Sequence, residues 1–111
     1  MDDQIKFSNT KEFAAFDVHD NTLLANKDLL WENIAEFKQA LKTLSASEQT
    51  ELVLDLSHSG FIFSSYFGEI GSLIGDVLPE GKQIKVRVNE KMAWLFKMTG
   101  FERMIQLEVV K

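Results

Sequence analysis

Two adjacent serines, Ser64 and Ser65, are the residues of this sequence best placed for regulatory chemistry. They follow Phe61-Ile62-Phe63 and precede a second apolar run, the pattern of a helix that begins with hydroxyl side chains. The first turn of a helix carries free backbone N–H groups and the positive end of the helix dipole, so it tolerates a phosphate. The pattern predicts either a phosphorylation site or a simple helix cap, which is worth about 1 kcal/mol over alanine.

The other reactive side chains do not form a recognisable catalytic or metal-binding set. Asp55 ends an apolar segment, where α/β proteins often place functional groups, but no nucleophile and base accompany it. His19 and His58 lie in different predicted loops, and neither has a third ligand at useful spacing. A Gly-rich phosphate-binding loop with a lysine is also missing. We therefore predict a protein that is not an enzyme, with no catalytic residue, no metal site and no cofactor.

The composition predicts one small cytoplasmic domain. The 111 residues suffice for a single core, and 45% of them are hydrophobic and 26% charged, as in ordinary globular domains. Zero cysteines excludes disulfides and thiolate chemistry, and the N-terminal residues do not read as a signal peptide. With 12 basic and 17 acidic residues, the net charge of −5 disfavours nucleic acid and anionic membranes as partners.

Hydrophobic periodicity predicts an α/β fold in which a mixed β-sheet is covered by helices. The expected order is β-β-α-β-α-β-α-β, in a single domain over residues 1–111 whose residues 1–11 form an irregular or short-strand segment. The strand Glu51–Leu56 is nearly all apolar, as in strands covered on both faces. The predicted strands are Glu12–Val18, Thr22–Ala25, Glu51–Leu56, Gln83–Val88 and Met104–Val110. The predicted helices run from Asn26 to about Leu44, from Ser65 to about Leu78 and from Asn89 to about Met98.

Several large aromatic residues lie beside these elements. Trp31 and Trp94 are expected to pack in the core or over a sheet edge, as most such residues do. Tyr66 follows the serine pair directly, and its position favours an interface role, since large aromatics are enriched at interfaces.

Two segments resemble motifs of the STAS domain, the module of bacterial anti-sigma factor antagonists and of sulfate-transporter tails. Leu54-Asp55-Leu56 followed by Phe61-Ile62-Phe63-Ser64-Ser65-Tyr66-Phe67-Gly68 is similar to the family's "DL…fiDSsglG" segment. Leu95-Phe96-Lys97-Met98-Thr99-Gly100-Phe101 is similar to its "lL.ltGL" segment. The element order agrees too, so the resemblance spans the chain from about Glu12.

The resemblance implies a partner switch. In the antagonists, the serine after the family's aspartate is phosphorylated by the anti-sigma factor, itself a serine kinase, and that position falls on Ser64. The unmodified form would bind this protein partner and the phosphorylated form would release it, in a bacterial pathway that regulates transcription. The expected partner contacts are Ser65, Tyr66, Phe67 and Glu69.

The sequence departs from the family's motif at two positions. Phe63 stands at the aspartate position, and Tyr66 stands where glycine is frequent. Loss of the carboxylate favours an alternative, a constitutive STAS-like adaptor or transport-complex subunit that is not phosphorylated. A small enzyme or nucleotide-binding domain is a further alternative, and the oligomeric state, a homodimer included, is left open.

Overall fold

The computed structural model describes residues 14–111, which form one five-stranded sheet and three α-helices. Their order is the predicted β-β-α-β-α-β-α-β. Residues 1–11 and the beginning of the predicted strand at Glu12 lie outside the described residues. The strands are β1 Phe16–His19, β2 Thr22–Ala25, β3 Glu51–Asp55, β4 Gln83–Val88 and β5 Gln106–Val109; the helices are α1 Ile34–Ser45, α2 Ser65–Val77 and α3 Glu90–Thr99.

The sheet is mixed, as predicted, and its strands lie side by side in chain order. β1 and β2 are antiparallel and joined at Asp20 and Asn21, where Asp20 adopts a φ of 53°. β2, β3, β4 and β5 are parallel to one another. The carboxyl ends of these strands therefore lie at one edge of the sheet, which is where α/β proteins place functional loops.

The core lies between the helices and one face of the sheet. Alternate residues of β3 and β4 are buried there, while Val53 on the opposite face is half-buried. Within residues 14–111, β3 thus packs against helices on one face, not on both as its apolar composition predicted. The buried helical residues of this core are Phe37, Leu41, Leu44, Tyr66, Ile70, Leu73, Ile74, Val77, Met92, Ala93 and Phe96.

The first helix begins later than predicted. Asn26 does not cap it, because the Asn26 amide donates hydrogen bonds to Ala14 O at 3.2 Å and to Asp17 Oδ2 at 2.8 Å. A 3₁₀ turn at Trp31–Asn33 leads into α1 at Ile34.

The segment before α1 is extended because Leu29 pairs with a distant part of the chain. Leu29 N donates to Phe61 O at 2.9 Å, and Leu29 O accepts from Phe63 N at 2.8 Å. This strand-like bridge satisfies backbone groups that a helix would otherwise pair, and hydrophobic periodicity alone does not reveal it.

Both tryptophans are exposed, so the prediction that they pack in the core or at a sheet edge is wrong. Trp31 is 61% exposed on the 3₁₀ turn, and Trp94 is 57% exposed on the outer side of α3. The α3 residues that pack inward are Met92, Ala93 and Phe96. With 3.6 residues per turn, Trp94 lies on the opposite side of the helix from them.

Candidate functional site

The loop between β3 and α2 brings both serines to the surface at the carboxyl edge of the sheet. Ser64 directly precedes α2, with helical backbone angles (φ −57°, ψ −30°), and its side chain makes no capping hydrogen bond. Ser65 is the first residue of the helix and is also exposed. The simple capping role is therefore not realised at Ser64, whose hydroxyl faces solvent.

This loop is held against the segment that precedes α1. Ser59 is fully buried, and its hydroxyl donates a 2.7 Å hydrogen bond to Lys27 O. The backbone N–H of Gly60 donates to Asp28 Oδ1, also at 2.7 Å. Together with the Leu29 bridge, these bonds hold the backbone on the N-terminal side of Ser64 in one conformation.

Asn89 holds the same loop from the other side. Its amide nitrogen donates to Ser57 O at 3.2 Å and to Ser59 O at 2.7 Å, while its Oδ1 accepts from Met92 N at 3.0 Å. The sequence placed the start of the third helix at Asn89 and did not indicate this loop contact. The loop contact joins residues about thirty positions apart, and no local pattern signals it.

Asp55 is a structural carboxylate at the base of this loop. Its Oδ1 accepts hydrogen bonds from Ser57 N at 3.1 Å and Ser57 Oγ at 2.6 Å, and its Oδ2 lies 2.8 Å from Arg87 Nη1. Burial by itself would raise the pKa of Asp55, but the Ser57 hydrogen bonds and the Arg87 charge outweigh it and lower the pKa. Both oxygens therefore have structural partners, and Asp55 is not a free base.

The lowered pKa of Asp55 predicts a loss of stability in acid. The contribution of the ionised carboxylate is fully present above its unfolded-state pKa of 3.8 and is lost as the pH falls through the lower pKa of the folded state. Urea unfolding at a series of pH values should show Asp55→Asn less stable than the wild type near pH 7, with the difference shrinking below about pH 4. The matched control is Asp76→Asn on the exposed side of α2. A difference that stays constant over this range would contradict the assignment.

Tyr66 is a core residue, which corrects its predicted role as a partner contact. Its side chain is fully buried, its hydroxyl donates to Leu30 O at 2.7 Å, and its ring lies 4.7 Å from that of Phe37. Burial, followed by the nearby carboxylates of Glu36 and Glu32, raises the pKa of Tyr66 to about 12. Tyr66 therefore ties α2 to the start of α1 and is inaccessible to a partner.

The other three expected contacts lie on the first turns of α2 with different accessibility. Ser65 is exposed, and Glu69 is partly exposed with Oε2 3.9 Å from Lys38 Nζ. Phe67 is half-buried, and its ring packs against those of Phe96 at 5.1 Å and Phe101 at 6.2 Å. Ser64, Ser65 and Glu69 thus form the accessible part of the predicted site, with Phe67 beneath it.

An aromatic surface borders Ser64, and the sequence did not assign it to the site. The ring of Phe63 packs on that of Trp31 with a centroid distance of 5.6 Å. Phe61 is 50% exposed and alternates with buried Ile62, so in this extended segment it points to the same side as Phe63. We call Trp31, Phe61 and Phe63 the Trp31 patch. The residue at the motif's aspartate position therefore makes an apolar contact.

Comparisons with known proteins identify the fold. No protein-family model matches the sequence, and no curated protein matches it significantly. A solved structure does match: a Thermotoga maritima protein provisionally assigned as an anti-sigma factor antagonist superposes with a TM-score of 0.70. The two sequences are 21% identical, and the match covers 86% of this chain and 85% of that one. The fold is that of a STAS domain.

In this STAS fold, the two segments that carry the sequence resemblance contact each other. Gly100 ends α3 with a φ of 80°, and Thr99 Oγ1 accepts a hydrogen bond from Phe101 N at 3.2 Å. Phe101 then packs on Phe67 and approaches Gly71, where an added Cβ would lie 3.5 Å from the Phe101 ring. The second segment therefore supports the first turns of α2.

The helical face of the STAS fold offers a shallow surface. A groove of about 240 Å³ between α1 and α2 falls below the roughly 300–1,000 Å³ of ordinary ligand pockets. Six of its eight lining residues are polar or charged, and the full lining is Lys38, Leu41, Lys42, Ser45, Glu69, Ser72, Leu73 and Asp76. Such a surface suits a protein contact better than a small apolar ligand. None of the helices within residues 14–111 has the length and apolar character needed to cross a membrane.

Proposed function

We propose that this chain is a non-enzymatic regulator of the bacterial cytoplasm that works as an anti-sigma factor antagonist, binding a serine kinase of the anti-sigma type. The contact centres on Ser64, Ser65 and Glu69, and phosphorylation of Ser64 releases the partner. The main support is the Ser64 hydroxyl, which is exposed and makes no capping hydrogen bond. It lies on a loop that hydrogen bonds anchor on both sides. The fold shared with the Thermotoga maritima protein points the same way.

The exposure of Ser64 explains why a phosphate there would oppose the partner contact and leave the fold intact. A phosphate adds about −1.5 to −2 charge at neutral pH. The backbone N–H groups of Tyr66 and Phe67 already donate to Phe63 O and Ser64 O. The added charge therefore remains in solvent in the free protein, where screening is strong. In a complex the same charge would be buried without a partner, which strongly opposes binding.

Three variants test the switch. We expect Ser64→Ala to bind the kinase of the same organism with wild-type affinity, and Ser64→Asp to bind at least about tenfold more weakly, a difference of about 1.4 kcal/mol. Thr50→Asp, an exposed position at the opposite edge of the sheet, is the matched control for the added charge, and isothermal calorimetry gives the dissociation constants. Incubation with kinase and ATP should add one phosphate to the wild type and none to Ser64→Ala. Equal affinities for wild type, Ser64→Ala and Ser64→Asp would contradict the switch while leaving the interaction intact.

A constitutive adaptor or transport-complex subunit is the second candidate, and one contact favours it. Phe63 packs on Trp31 at the position where the family carries an aspartate, so the surface next to Ser64 is apolar. A partner held by such a surface does not require a phosphorylation cycle. The mass of the intact protein from its native cell, before and after phosphatase, separates the two: a phosphatase-sensitive phosphate supports the switch and its absence supports the adaptor.

A further inference from the structure

The Trp31 patch leaves large aromatic rings in contact with water. Trp31 is 61% exposed and Phe61 is 50% exposed, and the ring of Phe63 supports that of Trp31 at a centroid distance of 5.6 Å. Neighbouring apolar side chains that are exposed together mark surfaces that a partner covers. Tryptophan is among the residues that contribute most to the binding energy of protein interfaces.

The fold holds the Trp31 patch in place before a partner binds. Leu29, two residues before Trp31 in the chain, is hydrogen-bonded through its backbone to Phe61 and Phe63. The hydroxyl of Tyr66 donates to the carbonyl oxygen of the residue that directly precedes Trp31. Because this backbone is fixed and the indole ring rests on Phe63, little conformational entropy is lost when a partner covers the ring. Trp31 is therefore preorganised to anchor a partner.

The Trp31 patch and Ser64 belong to one continuous surface. Phe63 directly precedes Ser64 in the chain, and residues 57–64 contain no acidic side chain, lysine or arginine. A partner that closely covers Ser64 therefore also meets Phe63 and the Trp31 ring that packs on it. A phosphate on Ser64 would then be enclosed beside aromatic rings that cannot compensate its charge.

The border of the Trp31 patch on the side of α1 is acidic. Burial raises the pKa of Tyr66, and the nearby carboxylates of Glu36 and Glu32 raise it further. Since the Tyr66 hydroxyl bonds to the carbonyl that precedes Trp31, both carboxylates lie close to the base of the patch. A protein surface that carries lysine or arginine complements this border. The charged residues of the segment 26–36 are three acids and one base: Asp28, Glu32, Glu36 and Lys27.

We propose that the Trp31 patch anchors the same kinase that Ser64 releases, and that this kinase presents an apolar side chain to Trp31 with lysine or arginine beside it. The inference rests on the proposed function, which supplies the kinase as the occupant. Trp31 provides most of the affinity, while Glu32 and Glu36 speed and orient the association. Ser64, at the margin of the apolar contact, carries the switch. A kinase that lacks the apolar side chain would leave Trp31 in water and bind weakly, so the Trp31 patch also selects the partner.

Fluorine NMR of protein labelled with 5-fluorotryptophan tests the anchor directly. The two tryptophans of the chain have similar exposure, 61% for Trp31 and 57% for Trp94, so Trp94 on α3 is an internal control. The kinase of the same organism is added unlabelled and gives no signal of its own. Its addition should shift the resonance of Trp31 and leave that of Trp94 in place. Trp31→Phe and Trp94→Phe assign the two resonances.

Calorimetry with the same kinase measures how much the anchor contributes. Trp31→Ala should raise the dissociation constant at least about thirtyfold, as expected for a residue that dominates an interface. Trp94→Ala removes an equally exposed indole elsewhere and should leave the dissociation constant within about twofold of the wild type. Circular dichroism confirms that each variant is folded.

Charge reversal tests the basic surface of the kinase. Glu32→Lys with Glu36→Lys should raise the dissociation constant at least about tenfold at low salt, and by less as the salt rises, because exposed charges are screened. Glu48→Lys with Glu102→Lys makes the same change in net charge and is the matched control. These two exposed residues precede β3 and β5, at the opposite edge of the sheet. An equal loss of affinity in both double variants would overturn the basic character of the kinase surface.

The possible outcomes separate this inference from the switch at Ser64. Wild-type affinity in Trp31→Ala, or a Trp31 resonance that the kinase does not shift, would overturn the anchor even if Ser64→Asp binds weakly. Wild-type affinity in Ser64→Asp together with a large loss in Trp31→Ala would overturn the switch and support the anchor. A chain that forms no complex with the kinase would overturn both.

Discussion

Replacing Tyr66 with alanine is expected to lower the free energy of unfolding by about 3–5 kcal/mol. The side chain is fully buried between α1 and α2, so its removal leaves a cavity beside Phe37 and eliminates the hydrogen bond to Leu30 O. Urea unfolding followed by circular dichroism measures this change. Ser65→Ala, one residue away and exposed, should stay within about 0.5 kcal/mol of the wild type. A Tyr66→Ala protein of near wild-type stability would contradict the core assignment.

The Tyr66→Phe substitution removes only the hydroxyl and so measures its contribution to the free energy of unfolding. We expect a loss of only about 1 kcal/mol, because Leu30 O still accepts a hydrogen bond from Asn33 N at 3.0 Å. The folded-state pKa of about 12 lies above the usual 10.0, so the hydroxyl's contribution is present below pH 10 and is lost as the pH rises toward 12. The stability difference between wild type and Tyr66→Phe should therefore shrink across this alkaline range. A difference independent of pH would show that the hydroxyl is not buried in this contact.

Asn89→Ala is expected to destabilise the protein by about 2–3 kcal/mol and to loosen the loop before Ser64. The substitution removes a helix cap, worth about 1 kcal/mol, and two hydrogen bonds to loop carbonyls, worth about 1 kcal/mol each. Chemical denaturation measures the stability. Hydrogen exchange measures how often the loop opens. The amide of Gly60 should exchange faster once Ser59 O loses its hydrogen bond from Asn89.

Asn89→Asp separates the two roles of this side chain. Aspartate is as good a helix cap as asparagine and favours the helix dipole, so a purely capping residue would tolerate the change. Aspartate does not donate to Ser57 O and Ser59 O, and its second oxygen would face these carbonyls. We therefore expect Asn89→Asp to be less stable than the wild type. Wild-type stability in Asn89→Asp would contradict the loop-anchoring role.

Elements that depend on neighbours in sequence were predicted accurately. β4 has the predicted bounds Gln83–Val88, because its alternating pattern is a local property of the strand. α3 begins after Asn89 and ends at Gly100, where a cap and a positive φ act within one turn. The buried side of α2 follows from its periodicity, with Ile70, Leu73 and Ile74 inside.

The errors come from contacts between distant residues. The sequence predicts the start of α1 at Asn26 because asparagine is a good helix cap, but the pairing of Leu29 with Phe61 and Phe63 holds this segment extended. The motif identified where the chain turns into α2, yet it did not show which way each side chain points. For this reason the sequence did not reveal that Tyr66 is buried and Trp31 exposed.

The sequence by itself determined the order of the elements, the turn from β3 into α2 and the position of the serine pair at the helix start. These features follow from periodicity, turn residues and caps, which act over a few residues. Only the tertiary structure decided that Tyr66 is a core residue, that Asn89 and Ser59 anchor the loop, and that aromatic side chains border Ser64. Each of these depends on groups about thirty residues apart meeting in the folded chain, where burial and hydrogen bonding select one side chain for the core and leave another in solvent.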